Sequence, residues 1–412
     1  MDVLYGCCCG LDVHAQTVVA CLIKDGRKQT RTFSTMTDDL LRLLDWLVAE
    51  GCTHVAIEST GVYWRPVFNL LEGQVEVILV NARHIKAVPG RKTDVKDSEW
   101  LADLLRHGLL KASFIPPLEI RELRELIRYR QRVIADQAAI ANRVQRIIES
   151  GNIKLGQVAS DVMGVSGRLM LRALANGEQD GEKLAGLARG RLKQKAEPLK
   201  RALTGRLSGA QRFVLGELLD RYEELDRAIE RVNQQISEEV ATSSDPFVGP
   251  AIKLLETIPG VGRVVAEVIV GEVGVDMRKF ATAQHLASWA GMCPGNNESA
   301  GKRKSGKTRK GSRSLRVALV QGAWAATHTK GTYLSAQYRR MVKRKGRKKA
   351  LVAVGHSLLV MIYHILKRRE SYQELGGDYF DEQQSQGQCR RLVRQLEALG
   401  MKVTIEALPA VA

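Results

Sequence analysis

The sequence predicts two fold classes in one chain: an α/β region at the N-terminus and an all-α remainder. Up to about residue 80, short apolar runs of strand length alternate with helical patterns. Beyond Ile115-Pro116-Pro117, apolar residues recur at helical spacing over long stretches. The length of 412 residues is sufficient for two or three domains with a substantial core.

The first three elements are predicted to be antiparallel strands. Gly6 to Val13 and Thr17 to Ile23 are apolar runs, and Asp25-Gly26 separates the second from the polar stretch Arg27 to Phe33. Asp-Gly between two strand-like runs is a strong signal for a two-residue hairpin.

Helices and strands then alternate. A helix opens at Thr37 and stops at Gly51, and it is followed by a strand, a helix, a strand and a further helix: His54 to Ile57, Gly61 to Leu71, Val75 to Val80, and the helix that contains Asp94. This order is the ribonuclease-H-like topology. In that topology the middle strands are neighbours, so Asp12 and Glu58 would come together facing the Asp94 helix.

The segment around Asp94 and Asp97 contains two carboxylates at i and i+3 in a predicted first helical turn. Pro89 and Gly90 stop the preceding structure, and Trp100 begins the apolar spacing of the helix. Two carboxylates on one helix face repel each other unless a cation lies between them. Taken alone, Asp94 is more simply explained as a helix cap and Asp97 as a favourable charge in the first turn.

Asp12 and Glu58 favour a metal site over the helix-cap explanation, because each ends a strand-like run. Singly, Asp12 could be a turn residue and Glu58 the first-turn charge of the next helix. Together, four acids from separate elements predict a metal site for phosphoryl transfer, in which two cations hold the attacking and leaving oxygens.

The charge balance indicates a polyanionic partner. Lysine and arginine number 63 against 45 acidic residues, which gives a net charge of +18. DNA or RNA is favoured over anionic lipid.

The cysteines and apolar segments predict a cytoplasmic protein. The seven cysteines form no CxxC pair and lie mostly in apolar runs, as reduced core thiols do, so no zinc site is predicted. The N-terminus has no secretory pattern. The apolar segment Ala350 to Leu366 is interrupted by His356 and His364 and is short for a membrane span.

A helical arm is predicted next. Glu119 to Ser150 is amphipathic and rich in arginine, and a second long helix begins near Gln211 with a heptad seam of Leu218, Tyr222, Leu225, Ile229, Val232 and Ile236. The seam fits an antiparallel hairpin within the chain or a dimer arm equally well. The Gly-rich, basic insert between them, Gly151 to Gly209, is predicted to be mostly helical, with no specific role.

The third region opens near Pro250. Pro259-Gly260-Val261-Gly262 lies between two predicted helices, and this pattern resembles a helix-hairpin-helix whose turn amides at Gly260 and Gly262 bind a phosphate. An ordinary helix turn explains the same pattern equally well.

A basic stretch follows the predicted helix Phe280 to Ala290. After Gly291 to Gly301, a flexible loop rich in Gly and Ser is predicted to contact phosphate backbones through Lys302, Arg303, Lys304, Lys307, Arg309, Lys310, Arg313 and Arg316. The alternative is a solvated charged loop. Ser299 itself has no His or Asp beside it in the sequence, and Ser305, Ser312 and Ser314 compete with it as nucleophiles.

Several motifs together resemble the insertion-sequence one-ten family of transposases. They are Gly-Leu-Asp12-Val-His, Ile57-Glu58-Ser-Thr-Gly-Val-Tyr, Lys92-Thr-Asp94-Val-Lys-Asp97, Ile258-Pro-Gly-Val-Gly, Ala290-Gly-Met-Cys-Pro, Glu298-Ser299-Ala-Gly-Lys and the segment Lys345 to His356. The motifs occur in matching order and span most of the chain. Relative to shorter members, this chain adds the Gly151 to Gly209 insert and a tail from Glu370 to Ala412.

The resemblance implies a RuvC-like nuclease domain with an Asp-Glu-Asp-Asp set, which maps onto Asp12, Glu58, Asp94 and Asp97. Those acids would hold Mg²⁺, with Mn²⁺ as the alternative. It also implies a transposase domain whose serine, mapped onto Ser299, attacks DNA.

The partners that the resemblance implies are donor and target DNA and a structured noncoding bridge RNA that pairs with both. The arm would join homodimers into homotetramers, with the acids of one protomer completing a site with the serine of another. No membrane partner is implied.

The sequence therefore predicts a RuvC-like domain at 1–115, a coiled-coil arm with insert at 116–248, a transposase domain at 249–370 and a tail at 371–412. The favoured function is RNA-guided DNA recombination through a covalent phosphoserine. A metal-dependent Holliday-junction-type endonuclease using water is the competing enzyme, and it predicts free ends without an adduct. A nucleic-acid-binding scaffold predicts binding that survives loss of all four acids. A nucleotide hydrolase is least favoured, because no Gly-rich phosphate loop accompanies Asp12.

Overall fold

The chain divides into two compact units, Met1–Ile115 and Pro116–Ala412. The structure is a computed structural model, and it describes residues 2–59, 61–81, 97–295, 297–299, 302–305, 308 and 310–404. At 297–299, 302–305, 386–388 and 390 the description covers the backbone alone.

The first unit contains a five-stranded sheet in the order β3-β2-β1-β4-β5. The strands are β1 (Cys7–Val13), β2 (Thr17–Lys24), β3 (Arg27–Ser34), β4 (His54–Glu58) and β5 (Glu76–Val80). β1, β2 and β3 pair antiparallel, as predicted, whereas β4 pairs in parallel with both β1 and β5. Asp25 and Gly26 turn β2 into β3 with φ of 48° and 81°, so the predicted Asp-Gly hairpin is confirmed.

Helices cover both faces of this sheet. α1 (Thr37–Ala49) and α2 (Trp64–Leu71) pack on one face, over a core of Leu11, Val18, Leu22, Leu43, Leu47, Ile57, Val67 and Leu71. α3 (Asp97–Arg106) covers the other face, where Leu105 packs with Cys8 and Ala56, and Ala102 packs with Cys21 and Ile23. Burial on both sides explains why β1 and β2 are almost continuously apolar in sequence.

The cysteines of this unit are part of its core. All seven cysteines of the chain are free. Burial raises the pKa of Cys8 and of Cys52 to about 12. These thiols are therefore protonated at neutral pH and are weak nucleophiles.

The second unit is mainly helical. Its α-helices are α4 (Leu118–Ser150), α5 (Leu155–Val158), α6 (Val165–Ala175), α7 (Gly181–Gly186), α8 (Ala196–Leu203), α9 (Gly209–Thr242), α10 (Val248–Glu256), α11 (Arg263–Val273), α12 (Ala283–Trp289), α13 (Arg313–His328), α14 (Tyr333–Lys345), α15 (Arg347–Arg368) and α16 (Tyr379–Ala398). Gly190–Lys195 and Met277–Lys279 are 3₁₀ helices, and β6 (Asn297–Ser299) and β7 (Lys302–Ser305) form a two-stranded sheet.

The two long helices α4 and α9 pack antiparallel within the chain. Gln137 of α4 donates to Asp226 of α9 at 2.6 Å, and near the other end Ser243 donates to Glu119 at 3.0 Å. α9 begins with a capping box in which Ser208 and Gln211 satisfy each other's backbone amides. Among the described residues, the predicted seam therefore closes an intramolecular hairpin.

A buried ion pair fastens this arm to the helices that follow. Arg130 of α4 is 2% exposed, and its Nη1 donates to Glu267 of α11 at 2.6 Å and to Asn233 of α9 at 3.0 Å. Arg263 donates to the other oxygen of Glu267 at 2.5 Å. A buried carboxylate needs such partners. The contacts of Glu267 and Arg130 therefore hold α4, α9 and α11 in one arrangement.

One helix, α15, is long and apolar enough to cross a membrane by length and composition. Half of its apolar window is buried in the unit, and Leu358, Leu359 and Ile362 are fully buried. Tyr363 donates from this helix to the backbone oxygen of Phe280 at 3.0 Å. A buried core helix of a soluble protein can have the same length and composition, so this observation is weak support for a membrane span.

Candidate functional site

Two of the predicted acids lie in the last two residues of adjacent parallel strands. Leu11 of β1 is paired in register with Ile57 of β4, so Asp12 and Glu58 are the next residue on each strand. Because positions in register on neighbouring strands share a face, the two carboxylates lie side by side at the carboxyl edge of the sheet. Both residues are half-buried.

The helix that starts at Asp97 covers the same face. A Cβ at Gly10 would lie 2.2 Å from the backbone oxygen of Ser98 and 2.4 Å from the nitrogen of Ala102. Since Gly10 is two residues before Asp12, both point towards α3. Leu105, at the other end of α3, packs with Cys8, so α3 runs antiparallel to β1. The Asp97 end of α3 therefore lies at the edge of the sheet that holds Asp12.

The described residues do not form a complete ligand set by themselves. Asp94 lies in 82–96, outside the described residues. Among the residues that the structure describes, no group of three or more His, Cys, Asp or Glu side chains could hold a metal ion. Asp12 and Glu58 nevertheless supply the hard oxygen donors that Mg²⁺ and Mn²⁺ prefer, so the donor chemistry fits a divalent cation.

Sequence reasoning missed one residue here, His14. Its Nε2 lies 3.1 Å from Oδ2 of Asp12, and its side chain is mostly exposed. The signal was available in the Asp-Val-His spacing, because residues two apart at a strand end project to the same side. His14 can hold the Asp12 carboxylate in one orientation.

The close approach at Gly10 gives a testable prediction. We expect Gly10→Ala to displace α3, because the added Cβ would meet backbone atoms that cannot move without the helix. The activity of the predicted metal site should fall by about 10²-fold or more, since a shift of about 1 Å at catalytic groups has that effect. The measurement is that activity together with the melting temperature.

Gly6→Ala is the matched control, because a Cβ at Gly6 has no atom within 4 Å. Its activity and melting temperature should equal those of the wild type. Equal activity of Gly10→Ala and Gly6→Ala would contradict the assigned packing of α3 against β1.

In the second unit, Ser299 lies at the end of a strand. Its backbone pairs with Lys302, and Glu298 pairs with Arg303, so only residues 300 and 301 separate the two strands. The stretch predicted as a flexible loop thus contains a β-hairpin, and this part of the prediction was wrong. Antiparallel pairing between residues at both ends of the turn explains the difference.

The predicted basic residues have different locations. Lys302, Arg303 and Lys304 belong to β7, whereas Lys307 and Arg309 lie outside the described residues. Lys310 and Arg313 are exposed. Arg316 is not part of a loop: it is on α13, and its Nη2 donates to the backbone oxygen of Gly291 at 3.0 Å.

The base of the hairpin is closed. A Cβ at Gly311 would lie 2.3 Å from the backbone oxygen of Ala290, so the segments that enter and leave the hairpin touch through their backbones. Pro294 and Thr308 form an antiparallel bridge above that contact. The hairpin therefore extends from a fixed base formed by its own two ends.

A second buried carboxylate, Glu272 of α11, ties this base to the arm. Arg128 of α4 donates from Nε and Nη2 to the two oxygens of Glu272, at 2.7 and 2.9 Å. Ser312, which caps α13, donates to Glu272 Oε2 at 3.0 Å, and Arg124 donates to the backbone oxygen of Gly271 at 2.8 Å. One carboxylate thus connects the arm to the residue that follows the hairpin.

The environment of Glu272 keeps it ionised. Burial alone would raise its pKa, but the hydrogen bonds and charge of Arg128 outweigh burial and lower the pKa below the ordinary 4.5. Its stabilising contribution is present above pH 4.5 and is lost as the pH falls through the lowered value.

The glycine turn between α10 and α11 has a packing role. Gly260 has φ of 86°, and a Cβ there would lie 2.4 Å from the nitrogen of Ala326 and the oxygen of Gly322. Gly262 has open space around it. Gly260 is therefore required for contact with α13, whether or not the turn also binds phosphate.

Two family models match the chain. A model of DEDD transposases of the IS110 type, described as "Transposase", matches residues 9–152. A second model, described as "Transposase IS116/IS110/IS902 family", matches residues 252–339. The first range contains all four predicted acids, and the second contains Ser299 and the glycine turn.

Curated relatives agree with these models. The transposase for insertion sequence element IS1111A of Coxiella burnetii is 22% identical over 303 residues, which cover 71% of this chain and 72% of the relative. The pilin gene-inverting protein of Moraxella bovis is 23% identical over 376 residues, or 88% of this chain and 96% of the relative. A putative transposase of Sinorhizobium fredii is 32% identical over 130 residues, 30% of this chain and 33% of the relative.

Proposed function

Since the chain belongs to the IS110 (insertion-sequence one-ten) family of transposases, we propose that it cuts and rejoins DNA through a covalent bond to Ser299, guided by RNA. The chain is an insertion-sequence transposase, an enzyme of DNA recombination, and its DEDD domain implies dependence on a divalent metal. The observation that best supports a catalytic role for the acids is the neighbouring position of Asp12 and Glu58 at the edge covered by α3.

The metal ligands in this proposal are Asp12, Glu58, Asp94 and Asp97. We propose Mg²⁺ as the cation, with Mn²⁺ as the alternative. When bound, a divalent cation would neutralise charge on the scissile phosphate and make its phosphorus more electrophilic. His14, 3.1 Å from Asp12, would keep that carboxylate oriented.

Ser299 would act as the nucleophile. Its Oγ forms a bond to the phosphorus of the scissile phosphodiester, and the bond from phosphorus to one deoxyribose oxygen breaks. That oxygen leaves as a hydroxyl after taking up a proton, and the serine proton passes to solvent or to a base. In the second step a hydroxyl of another strand loses its proton and attacks the same phosphorus, and the bond from phosphorus to Oγ breaks as Oγ regains a proton, so the DNA is rejoined without ATP.

The fold assignment in this proposal is a RuvC-like member of the ribonuclease-H topology. Support comes from the antiparallel β1, β2 and β3, the parallel β4 and β5, and the helix on the acidic face. The finer boundaries, with an arm at 116–248, a transposase domain at 249–370 and a tail at 371–412, belong to the same proposal.

RNA guidance and assembly rest on the family. A structured noncoding RNA would read the target and donor by base pairing, so the protein itself needs backbone contacts more than base contacts. The net charge of +18 and the small aromatic content support that division of labour. Homodimers joined into a homotetramer, which hold both DNA partners at once, complete the proposal.

The experiment that tests it is reconstituted strand exchange. The purified full-length protein is mixed with the RNA transcribed from the DNA that flanks its gene, a donor duplex and a target duplex, and the joined products are sequenced. We expect joined products with Mg²⁺ and RNA together, and none after chelation with EDTA or omission of RNA. Cleavage without joining would favour the hydrolytic nuclease. Joining without RNA would contradict the proposal that RNA guides the reaction.

A further inference from the structure

One stripe of the arm helix α4 is polar where it meets the rest of the unit. Arg124, Arg128 and Gln131 are spaced i, i+4 and i+7, so they lie on the same side of the helix. All three are half-buried. Polar side chains that are partly removed from water need hydrogen-bond partners, so the partners of this stripe indicate what it holds.

The stripe contacts the end of α11 and the beginning of α13. Arg124 donates to the backbone oxygen of Glu272 at 2.8 Å, in the last turn of α11, where the carbonyls have no donor within the helix. Arg128 donates to both carboxylate oxygens of Glu272, at 2.7 and 2.9 Å. Gln131 accepts from Ser314, in the first turn of α13, at 2.5 Å. One side of α4 thus holds two successive helices together.

These contacts reach both ends of the Ser299 hairpin, which is β6, β7 and the two residues between them. At its exit Ser312 Oγ accepts from the amide of Leu315 at 3.2 Å and donates to Glu272 Oε2 at 3.0 Å. At its entry the backbone oxygen of Gly291 accepts from Arg316, one turn further along α13, at 3.0 Å. The exit is therefore bonded to Glu272 directly, and the entry is bonded to the same helix.

The hairpin depends on its base for its position. Its strands, Asn297–Ser299 and Lys302–Ser305, are joined by only three residue pairs. A two-stranded hairpin of that length is marginally stable in water by itself. The bonds at the base, rather than those within the strands, therefore determine where the hairpin lies.

Glu272 contributes direction to this base more than stability. It is 1% exposed, and the cost of removing a carboxylate and a guanidinium from water offsets much of their attraction. Two parallel hydrogen bonds from Arg128 and a third from Ser312 nevertheless fix the plane of the carboxylate. An apolar pair of the same size would fill the space without imposing that orientation.

We propose that Glu272 is a positioning residue for strand exchange: through Arg128 and Ser312 it holds the base of the Ser299 hairpin on the arm and so fixes where Ser299 lies. The catalytic part of this inference rests on the proposed nucleophilic role of Ser299. The positional part concerns the backbone of the hairpin and is independent of that role.

Two variants of the full-length protein loosen the base in different ways. Glu272→Gln keeps the size of the side chain but removes the charge that orients Arg128. Ser312→Asp keeps a good N-cap on α13 but replaces the donor to Glu272 by a second carboxylate. Asp276→Asn is the matched control, because it also removes a carboxylate bonded to an arginine, Arg278 at 2.9 Å, in the segment after α11.

The first measurement is amide hydrogen exchange without DNA. In Glu272→Gln and Ser312→Asp we expect peptides from 297–305 to exchange about tenfold faster or more, since a hydrogen bond to a charged group contributes that much to local stability. Peptides from α9 should keep the wild-type rate, which general destabilisation of the unit would not allow. Asp276→Asn should match the wild type throughout. Equal hairpin exchange in all four proteins would overturn the proposal.

The second measurement is the rate of protein–DNA adduct formation at saturating DNA, together with the Kd for DNA. We expect the rate to fall by about 10²-fold in Glu272→Gln and Ser312→Asp, because a displacement of about 1 Å at a reacting group has that effect. The Kd should stay within about twofold of the wild type. Unchanged rates despite faster hairpin exchange would overturn the positioning role. A wild type that forms no adduct would refute the role of Ser299 and the catalytic part of this inference, whereas hydrogen exchange still decides the positional part.

Discussion

Replacing Ser299 by alanine is expected to abolish strand exchange while DNA binding is retained. Loss of a catalytic nucleophile lowers rates by about 10⁴-fold or more, because the remaining groups have no bond-forming atom to assist. Ser299 ends β6 beside residues 300 and 301, at the far end of the hairpin from its fixed base. The measurement is the yield of joined DNA in the reconstituted reaction.

Ser305→Ala provides the matched control, because Ser305 lies on the opposite strand of the same hairpin, paired with Asn297. Its exchange rate should stay within about twofold of the wild type, as surface substitutions away from a site usually have small effects. Loss of exchange in Ser305→Ala with normal exchange in Ser299→Ala would show that Ser305, and not Ser299, is the nucleophile.

Asp12→Asn is expected to have the second largest effect. The amide keeps the size of the side chain but removes the charge that balances a divalent cation, so a contribution of about 4 kcal/mol to the transition state should be lost. That loss corresponds to about 10³-fold in rate. Measured in increasing Mg²⁺ or Mn²⁺, the variant should also require a higher metal concentration.

The control for charge is Asp25→Asn. Asp25 lies in the β2–β3 turn at the opposite edge of the sheet with φ of 48°, a conformation that asparagine adopts readily. Equal metal dependence in Asp12→Asn and the wild type would show that Asp12 is not a metal ligand.

The sequence was sufficient to predict the two strand acids. Asp12 and Glu58 each end an apolar run, and an apolar run long enough for a strand fixes which residue reaches the sheet edge. The order of elements then made β1 and β4 neighbours, and the observed pairing of Leu11 with Ile57 agrees. Asp94 stays a prediction, since it lies outside the described residues.

The supporting contacts could not be predicted in the same way. Gly10 interrupts an apolar strand. A glycine is needed at this position because the backbone of α3, 88 residues further along the sequence, packs directly against it. Glu267 and Glu272 interrupt the apolar pattern of α11, and this interruption in the sequence identifies them as candidate buried charges. Their partners Arg130 and Arg128 are known only once α4 packs on α11.

The hairpin was missed for a related reason. Glycine, serine and many cations in 299–312 are typical of a solvated loop, and strand propensity in such a segment is low. Its pairing follows from the closed base, where Gly311 meets Ala290 and Ser312 meets Glu272. These are long-range contacts that local sequence does not encode.

The most direct test of the central claim is denaturing electrophoresis of the wild-type protein and Ser299→Ala after incubation with Mg²⁺, the flanking RNA and labelled DNA of the element's end. We expect a labelled band at the mass of a protein–DNA adduct that resists denaturation, with wild type only. Cleaved DNA without any such adduct, in wild type and variant alike, would contradict the serine mechanism and favour hydrolysis by water.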